Sequence, residues 1–425
     1  MASTIKAAIL QFAAIWWSPR FARAARRTMY SLRPAYPAPS NRTRQLLVDV
    51  SIVAAYDAGT GIQRVVRSLL AQLMQSPPVG FDVRPVCATR KSSYRYAGNF
   101  LAPQVASHAS ASDMRDIQVE HGDVFVGLDL TSRITPHRQR ELLAWKKQGV
   151  RCAFVVYDLL PLQHPQWFTP RAQRAFRHWL STLAVHADEL WCISHTVATD
   201  TCALMPARFG LNDADIAIRS FDLGADTLDR VHVAMPSARP APRHHYGRPL
   251  LLMVGTVEPR KGHAHVLDAL ETLWQSGRDL TLVIVGAQGW HVETVMRRLQ
   301  GHVEIGRRLF WLPDVDDAQL ETLYALADGL VMASEAEGFG LPIIEAARYG
   351  KPLFLRDLPV FREIAGKHAT YFSARNRAAL AREISNWVSR VAAGEAPTSE
   401  AIEPRTWAAS ADQFKTLVAM LAETR

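Results

Sequence analysis

The sequence predicts an α/β protein made of two doubly wound, largely parallel domains in tandem, and three observations carry that reading. Its 425 residues are enough for two or three domains of ordinary size. Short, continuous apolar runs alternate with helical stretches, the pattern of strands buried on both faces and joined by βαβ crossovers. That rhythm breaks between about residues 223 and 249, at Pro236, Pro240, Pro242 and the run Arg243-His244-His245, and then restarts.

Residues 1–44 come first and are set apart by charge. Eight of the 49 Lys and Arg lie there (Lys6, Arg20, Arg23, Arg26, Arg27, Arg33, Arg42, Arg44) with no acid, leaving 41 against 40 acids in the other 381 residues. The net charge of +9 is therefore local, and a basic body tracking a nucleic-acid backbone is excluded. Ile5, Ile9, Phe12, Ile15, Trp16 and Trp17 precede the arginines. This composition suits a helix lying in an anionic bilayer interface, an appendage that the fold does not need; the alternative is an extra helix packed on the first domain. The longest early apolar run, 7–17, is 11 residues and contains Gln11, too short to cross a bilayer, and no small-residue cleavage site follows. The expected location is cytoplasmic, peripheral at the inner face of the cell membrane.

The first domain, 45–235, is expected to place strands at 46–53, 81–87, 124–128, 152–157, 189–193 and 216–223, with helices at 63–74, 170–186 and 196–204 among them. A linker follows at 236–248. The second domain, 249–404, restarts with strands at 250–257, 280–286, 309–312, 329–333, 352–355 and 370–372, and 405–425 forms a terminal helix behind Trp407. Ligands of such sheets sit beyond the carboxyl ends of the strands, so the loops after the strands should line an interdomain cleft. Cys87, Cys152, Cys192 and Cys202 have no C-x-x-C spacing and read as small hydrophobes in a reducing compartment; Trp179, Trp191, Trp274 and Trp311 read as core. The 15 His include no metal-ligand spacing, and no metal or other cofactor is expected.

The densest chemical signal is 334–350, SEAEGFGLPIIEAARYG. A strand ends there, Gly338 and Gly340 let backbone approach a ligand, Pro342 suits a first helical turn and Gly350 a helix end. The helix start favours an anion, and Glu337 and Glu345 suit sugar hydroxyls, which carboxylates accept in pairs. The second signal is 254–262, VGTVEPRKG, where a strand runs into adjacent Arg260 and Lys261. A guanidinium fork and an ammonium opposite a helix start make a diphosphate clamp.

Together these stretches resemble the retaining glycosyltransferases of family four (group 1), whose GT-B fold is two tandem Rossmann-like domains facing a cleft. Glu337 and Glu345 match that family's E-x(7)-E signature, and Arg260-Lys261 its phosphate-binding pair. Gly286-Ala287-Gln288-Gly289-Trp290, Leu312-Pro313-Asp314-Val315, Leu320-Glu321-Thr322-Leu323-Tyr324 and Val360-Phe361-Arg362-Glu363 also fit. In the first half Thr60-Gly61-Ile62-Gln63-Arg64 resembles the acceptor-side glycine loop, and Tyr157-Asp158-Leu159-Leu160-Pro161 the segment after the fourth strand, where many members have His in place of Tyr157. The likeness spans roughly residues 46–424.

The resemblance implies roles. Arg260 and Lys261 would neutralise the diphosphate leaving group; Glu337 and the backbone from Gly338 through Phe339 and Gly340 to Leu341 would hold donor sugar and phosphates. Glu345 would accept from ribose hydroxyls, with Gly255 and Pro313 also in the donor site. Thr60, Gly61 and Arg64 would serve the acceptor, and Asp158 a donor-sugar or acceptor contact, unless it caps a turn. The expected activity is metal-independent transfer, with retention, to a saccharide acceptor that a membrane location would make lipid-linked. The run 258–263 with Gly289-Trp290 looks like surface-polysaccharide enzymes using mannose or a mannose-derived sugar from a GDP donor, with UDP-sugars as the alternative. The rivals are another GT-B enzyme, an epimerase or phosphorylase, and a non-catalytic GT-B scaffold subunit of a membrane glycosylation complex.

Overall fold

A computed structural model describes residues 2–33, 42–98, 117–225, 246–403 and 405–423. Pro236, Pro240, Pro242 and most of the linker expected at 236–248 lie outside the described residues. The chain divides into two compact units, Met1–Val233 with Arg405–Arg425, and Ala234–Pro404.

The first unit holds a seven-stranded sheet of β1 (Arg44–Asp49), β2 (Phe81–Cys87), β3 (Arg95–Tyr96), β4 (Val124–Gly127), β5 (Arg151–Val156), β6 (Glu189–Cys192) and β7 (Ala217–Ser220), in the order β3-β2-β1-β4-β5-β6-β7. All neighbours are parallel except the short edge strand β3, which pairs antiparallel with β2. The continuous apolar runs become fully buried strands: every residue of β4 and β6 is buried. Phe125 lies at the centre, its ring against Tyr94, Trp145 and Phe154 at 5.3–5.7 Å.

The expected strand 46–53 stops at Asp49, because the chain turns into the short helix Ser51–Ala55. A carboxylate oxygen of Asp129 accepts from the N–H groups of Ile52 and Val53 at 2.7 and 2.9 Å, satisfying donors at that helix start.

The segment read as dispensable is part of the first unit's packing. Helix α1 (Ala2–Trp16) buries Ala7, Gln11, Ala14 and Ile15 and, with α2 (Ala22–Tyr30), packs on the helix Pro170–His186. The end of α2 and Arg33 just after it meet a buried anchor. Asp188 accepts from Tyr30 and Arg33 at 2.5 Å, from buried Lys146 at 2.7 Å and from the Cys152 N–H at 2.7 Å, while Arg26 donates to the Ala187 carbonyl. Burial pushes the Asp188 carboxyl up, but these cations outweigh it and hold it far below the usual carboxylate range. Burial lowers Lys146 to about 8. The basic stretch thus packs on an apolar domain with its charges met by separate partners, Arg33 by Asp188, Arg23 by Asp215 and Arg42 by Asp123.

The terminal helix Trp407–Glu423 also belongs to the first unit; Trp407 is buried and Phe414 sets its ring on Trp191 and Phe221 at 4.9 and 5.6 Å.

The second unit holds a six-stranded, all-parallel sheet of β8 (Leu250–Val254), β9 (Thr281–Val285), β10 (Leu309–Leu312), β11 (Gly329–Met332), β12 (Leu353–Arg356) and β13 (Thr370–Phe372), in the order β10-β9-β8-β11-β12-β13. Phe354 stacks on Phe372 and Trp387 at 4.6 and 4.9 Å in one of its two core layers.

Candidate functional site

In the second unit β8 and β11 are neighbours, yet the chain continues from β8 to β9 on one side and from β11 to β12 on the other. The loops leaving their carboxyl ends diverge at this switch point, where open parallel sheets bind ligands. Both chemical motifs of the sequence sit there.

After β8 the chain passes Gly255 and Glu258 into the single turn Pro259–Lys261, then Gly262 at φ 73°. A Cβ at Gly262 would stand 2.2 Å from the Ala333 carbonyl oxygen, so only glycine lets this turn lie against the end of β11. The Glu335 N–H donates to the Arg260 carbonyl at 2.7 Å and ties the two loops. Beyond β11, Gly340 takes φ 147° and starts the helix Leu341–Ala347 with Pro342 in its first turn. That helix has only seven residues, so side-chain cations carry most of the positive charge here.

Arg260, Lys261 and Glu337 form one cluster. Lys261 Nζ lies 2.5 Å from Glu337 Oε1, Arg260 donates to Glu337 Oε2 at 2.6 Å, and the Ser334 hydroxyl donates to Oε1 at 2.7 Å. Arg260 Nε lies 2.9 Å from Glu258 Oε2, so two cations face two carboxylates. Their side chains are 8–16% exposed. Burial pushes the Glu337 carboxyl up, but Arg260 and Lys261 outweigh it and hold it at about 2. Burial pulls the Lys261 ammonium down, partly restored by Glu337. Beside them buried His263 is lowered to about 3, by burial and then by Lys261, and stays neutral.

Glu345, half-buried on the helix Leu341–Ala347, accepts from the Tyr324 hydroxyl at 2.6 Å. Gly338 is buried, Phe339 half-buried, and Pro313 exposed just after β10. Sequence reasoning missed Glu258, Ser334 and Tyr324 as partners of the named residues; only the closeness of Glu258 to Arg260 and of Ser334 to Glu337 in the chain hinted at two of them.

The first unit repeats the switch point between β1 and β4. Thr60 caps the helix Gly61–Gln75 in a reciprocal capping box with Gln63. The Gln63 amide accepts from the Ala58 N–H at 2.9 Å and donates to the Tyr56 carbonyl at 2.7 Å, so it shapes the loop before Gly61. The T-x-x-Q spacing was the signal for it. Arg64 is half-buried on that helix. Asp158 accepts from the Leu160 N–H at 3.0 Å, a turn-capping bond. Tyr157, where many members have His, is buried and donates to the Leu128 carbonyl at 2.8 Å.

Two doubly wound units in tandem, the second with paired cations and carboxylates at its switch point, define a GT-B protein. Residues 236–399 match the family of glycosyl transferases group 1. It is 40% identical to the serotype-specific mannosyltransferase WbdA of Escherichia coli over 374 residues, covering 87% of this chain and 44% of that protein. The chain thus spans less than half the length of this relative. It is 35% identical to the O-antigen chain mannosyltransferase B of Escherichia coli over 118 residues, 27% of this chain and 30% of that one. In fold it is similar to a glycosyltransferase from Rickettsia africae ESF-5 (TM-score 0.59, 14% identity, 91% of this chain and 100% of that one). A sucrose-phosphate synthase from Thermosynechococcus elongatus is similar too (TM-score 0.58, 17% identity, 89% and 99%).

Proposed function

We propose that the chain is a retaining, metal-independent glycosyltransferase that moves mannose, or a mannose-derived sugar, from a GDP donor to a saccharide acceptor in surface-polysaccharide or glycolipid assembly. The observation that carries the activity is the Arg260, Lys261 and Glu337 cluster at the switch point of the second unit. The mannosyltransferase names of the relatives support the sugar.

An arriving diphosphate carries more negative charge than the single Glu337 carboxylate and draws Arg260 and Lys261 onto its oxygens. Glu337 is then released toward the hydroxyls of the donor sugar, with backbone from Gly338 to Leu341 beside it. Glu345 accepts from the ribose hydroxyls, and Gly255 and Pro313 border the nucleotide. The bond from sugar C1 to the diphosphate oxygen breaks, and a bond from C1 to the acceptor oxygen forms on the same face. The acceptor's proton passes to the departing phosphate, so no protein nucleophile is required. The two cations stabilise the charge that develops on the leaving group. In the first unit, Thr60, Gly61 and Arg64 serve the acceptor, with Asp158 holding the neighbouring turn.

The acceptor is lipid-linked in this reading, and the protein works at the cytoplasmic face of an anionic membrane. Helix α1 buries one side and exposes another: Ile5, Ile9 and Phe12 on it, with Trp17 just after it, are 48–77% exposed. Lys6, Arg20 and Arg27 are exposed in the same two-helix segment. The body adds charge, for His137 and His178, whose rings pack on Trp16, are lowered by burial and then by Arg90 with Arg138 and by Arg177 with Arg174. An apolar stripe within a cationic surround fits an anionic lipid surface. Among the described residues no helix is long and apolar enough to cross a membrane.

The test of function is a thermal-shift panel of GDP, UDP, ADP and dTDP sugars followed by transfer from the stabilising donor. GDP-mannose should raise the melting temperature most. A UDP-sugar in its place reassigns the donor, and binding without transfer to any saccharide or lipid-linked acceptor leaves a scaffold. Vesicle co-sedimentation with Ile9→Ser and Trp17→Ser together tests the membrane reading: the variant should lose pelleting on anionic vesicles, and equal pelleting overturns it.

A further inference from the structure

The contact between Tyr324 and Glu345 joins two helices that the sequence separates. Tyr324 lies on the helix Asp317–Leu326, whose start is fixed by a capping box between Asp316 and Gln319. Its ring is 2% exposed and stacks on Tyr349 at 5.9 Å and 12°, so the hydroxyl has little freedom to move. That hydroxyl donates to Glu345 Oε2 at 2.6 Å. The negative charge of Glu345 also reaches Tyr349, where it contributes, after burial and Glu321, to raising that phenol.

We infer that Tyr324 is a positioning residue for the nucleotide's ribose: its hydroxyl orients the Glu345 carboxylate toward the vicinal diol. This inference rests on the reading of Glu345 as the ribose acceptor. A glutamate side chain has three rotatable bonds, and a diol donates two hydrogen bonds in a fixed relative geometry. A buried tyrosine hydroxyl on one oxygen sets the plane of the carboxylate before the ligand arrives, so binding does not have to order it. The rest of the donor makes no use of this bond, so its loss should weaken binding without slowing the chemical step.

The test uses the full chain and calorimetric binding of GDP, 2′-deoxy-GDP and 3′-deoxy-GDP, repeated with the UDP series if UDP binds instead, together with steady-state transfer. Tyr324→Phe removes one oxygen and keeps the ring in its stack. It should raise the donor KM about 5- to 20-fold with kcat within twofold, and shrink the preference for the ribonucleotide over its deoxy analogues. Glu345→Ala should abolish that preference. If Glu345→Ala keeps the preference, the reading of Glu345 is wrong. If Glu345→Ala abolishes it while Tyr324→Phe leaves it at the wild-type value, or if Tyr324→Phe lowers kcat and leaves KM unchanged, the positioning role is overturned.

Discussion

Lys261 and Glu337, 76 residues apart in the chain, meet with 2.5 Å between ammonium and carboxylate. The residue expected to hold donor hydroxyls is thus also the resting counterion of the cations expected to hold the diphosphate. A carboxylate that competes for the diphosphate's cations should restrain nucleotide binding when no sugar is attached. Glu337→Gln is predicted to bind GDP about 3- to 10-fold more tightly while transferring sugar at least tenfold more slowly. Calorimetry beside a transfer assay checks both, and weaker GDP binding would show that Glu337 is no competitor.

The same pairing has an acid signature. The folded Glu337 carboxyl is depressed from 4.5 to about 2, so its stabilisation is present above pH 4.5 and lost as pH falls toward 2. Lys261 works against it, because its own shift is downward and records the cost of burying the ammonium. The wild-type advantage in unfolding free energy over Glu337→Gln should be about 1–2 kcal/mol at pH 6 and fade between pH 4.5 and 2. A pH-independent difference in chemical denaturation would contradict this assignment.

In the proposed donor site Arg260 and Lys261, both paired with Glu337 at rest, supply the charge that a divalent cation would otherwise bring to a diphosphate. Turnover in excess EDTA should stay within twofold of that in magnesium. Loss in EDTA with recovery in magnesium or manganese would mean that the cluster needs a metal partner.

The anchor at Asp188 predicts that the N-terminal helices are structural whatever else they do. Asp188→Asn leaves Lys146, Arg33 and Arg26 without their buried counterion and should cost about 3–5 kcal/mol in denaturant unfolding. A loss below 1 kcal/mol would show the anchor to be incidental. Membrane binding is accordingly better probed by exposed substitutions such as Trp17→Ser than by removing residues 1–44.

Most strands were legible because burial on both faces leaves an uninterrupted apolar run; 81–87, 309–312 and 370–372 match β2, β10 and β13 end to end. The motif around Glu337 was legible because Gly340, Pro342 and Gly350 punctuate the backbone visibly. What failed depends on partners distant in sequence. Residues 51–53 read as strand until Asp129, more than 70 residues later, caps them as a helix. Apolar residues stand on both faces of α1, so composition could not separate packing from membrane contact, and the structure shows one face packed and the other exposed. Tyr324 carried no local mark of Glu345 because their meeting requires two helices to pack.

The central claim, that the cluster in the second unit is a donor site for sugar transfer, is tested most directly by measuring mannose transfer from GDP-mannose by wild type, Lys261→Ala and Arg260→Ala. Both side chains pair with Glu337, and in either variant the other cation still faces that carboxylate, so each variant should fold and unfold cooperatively. The account predicts a fall in kcat/KM of about 100-fold or more in each. Transfer within a few-fold of wild type in either folded variant would contradict it.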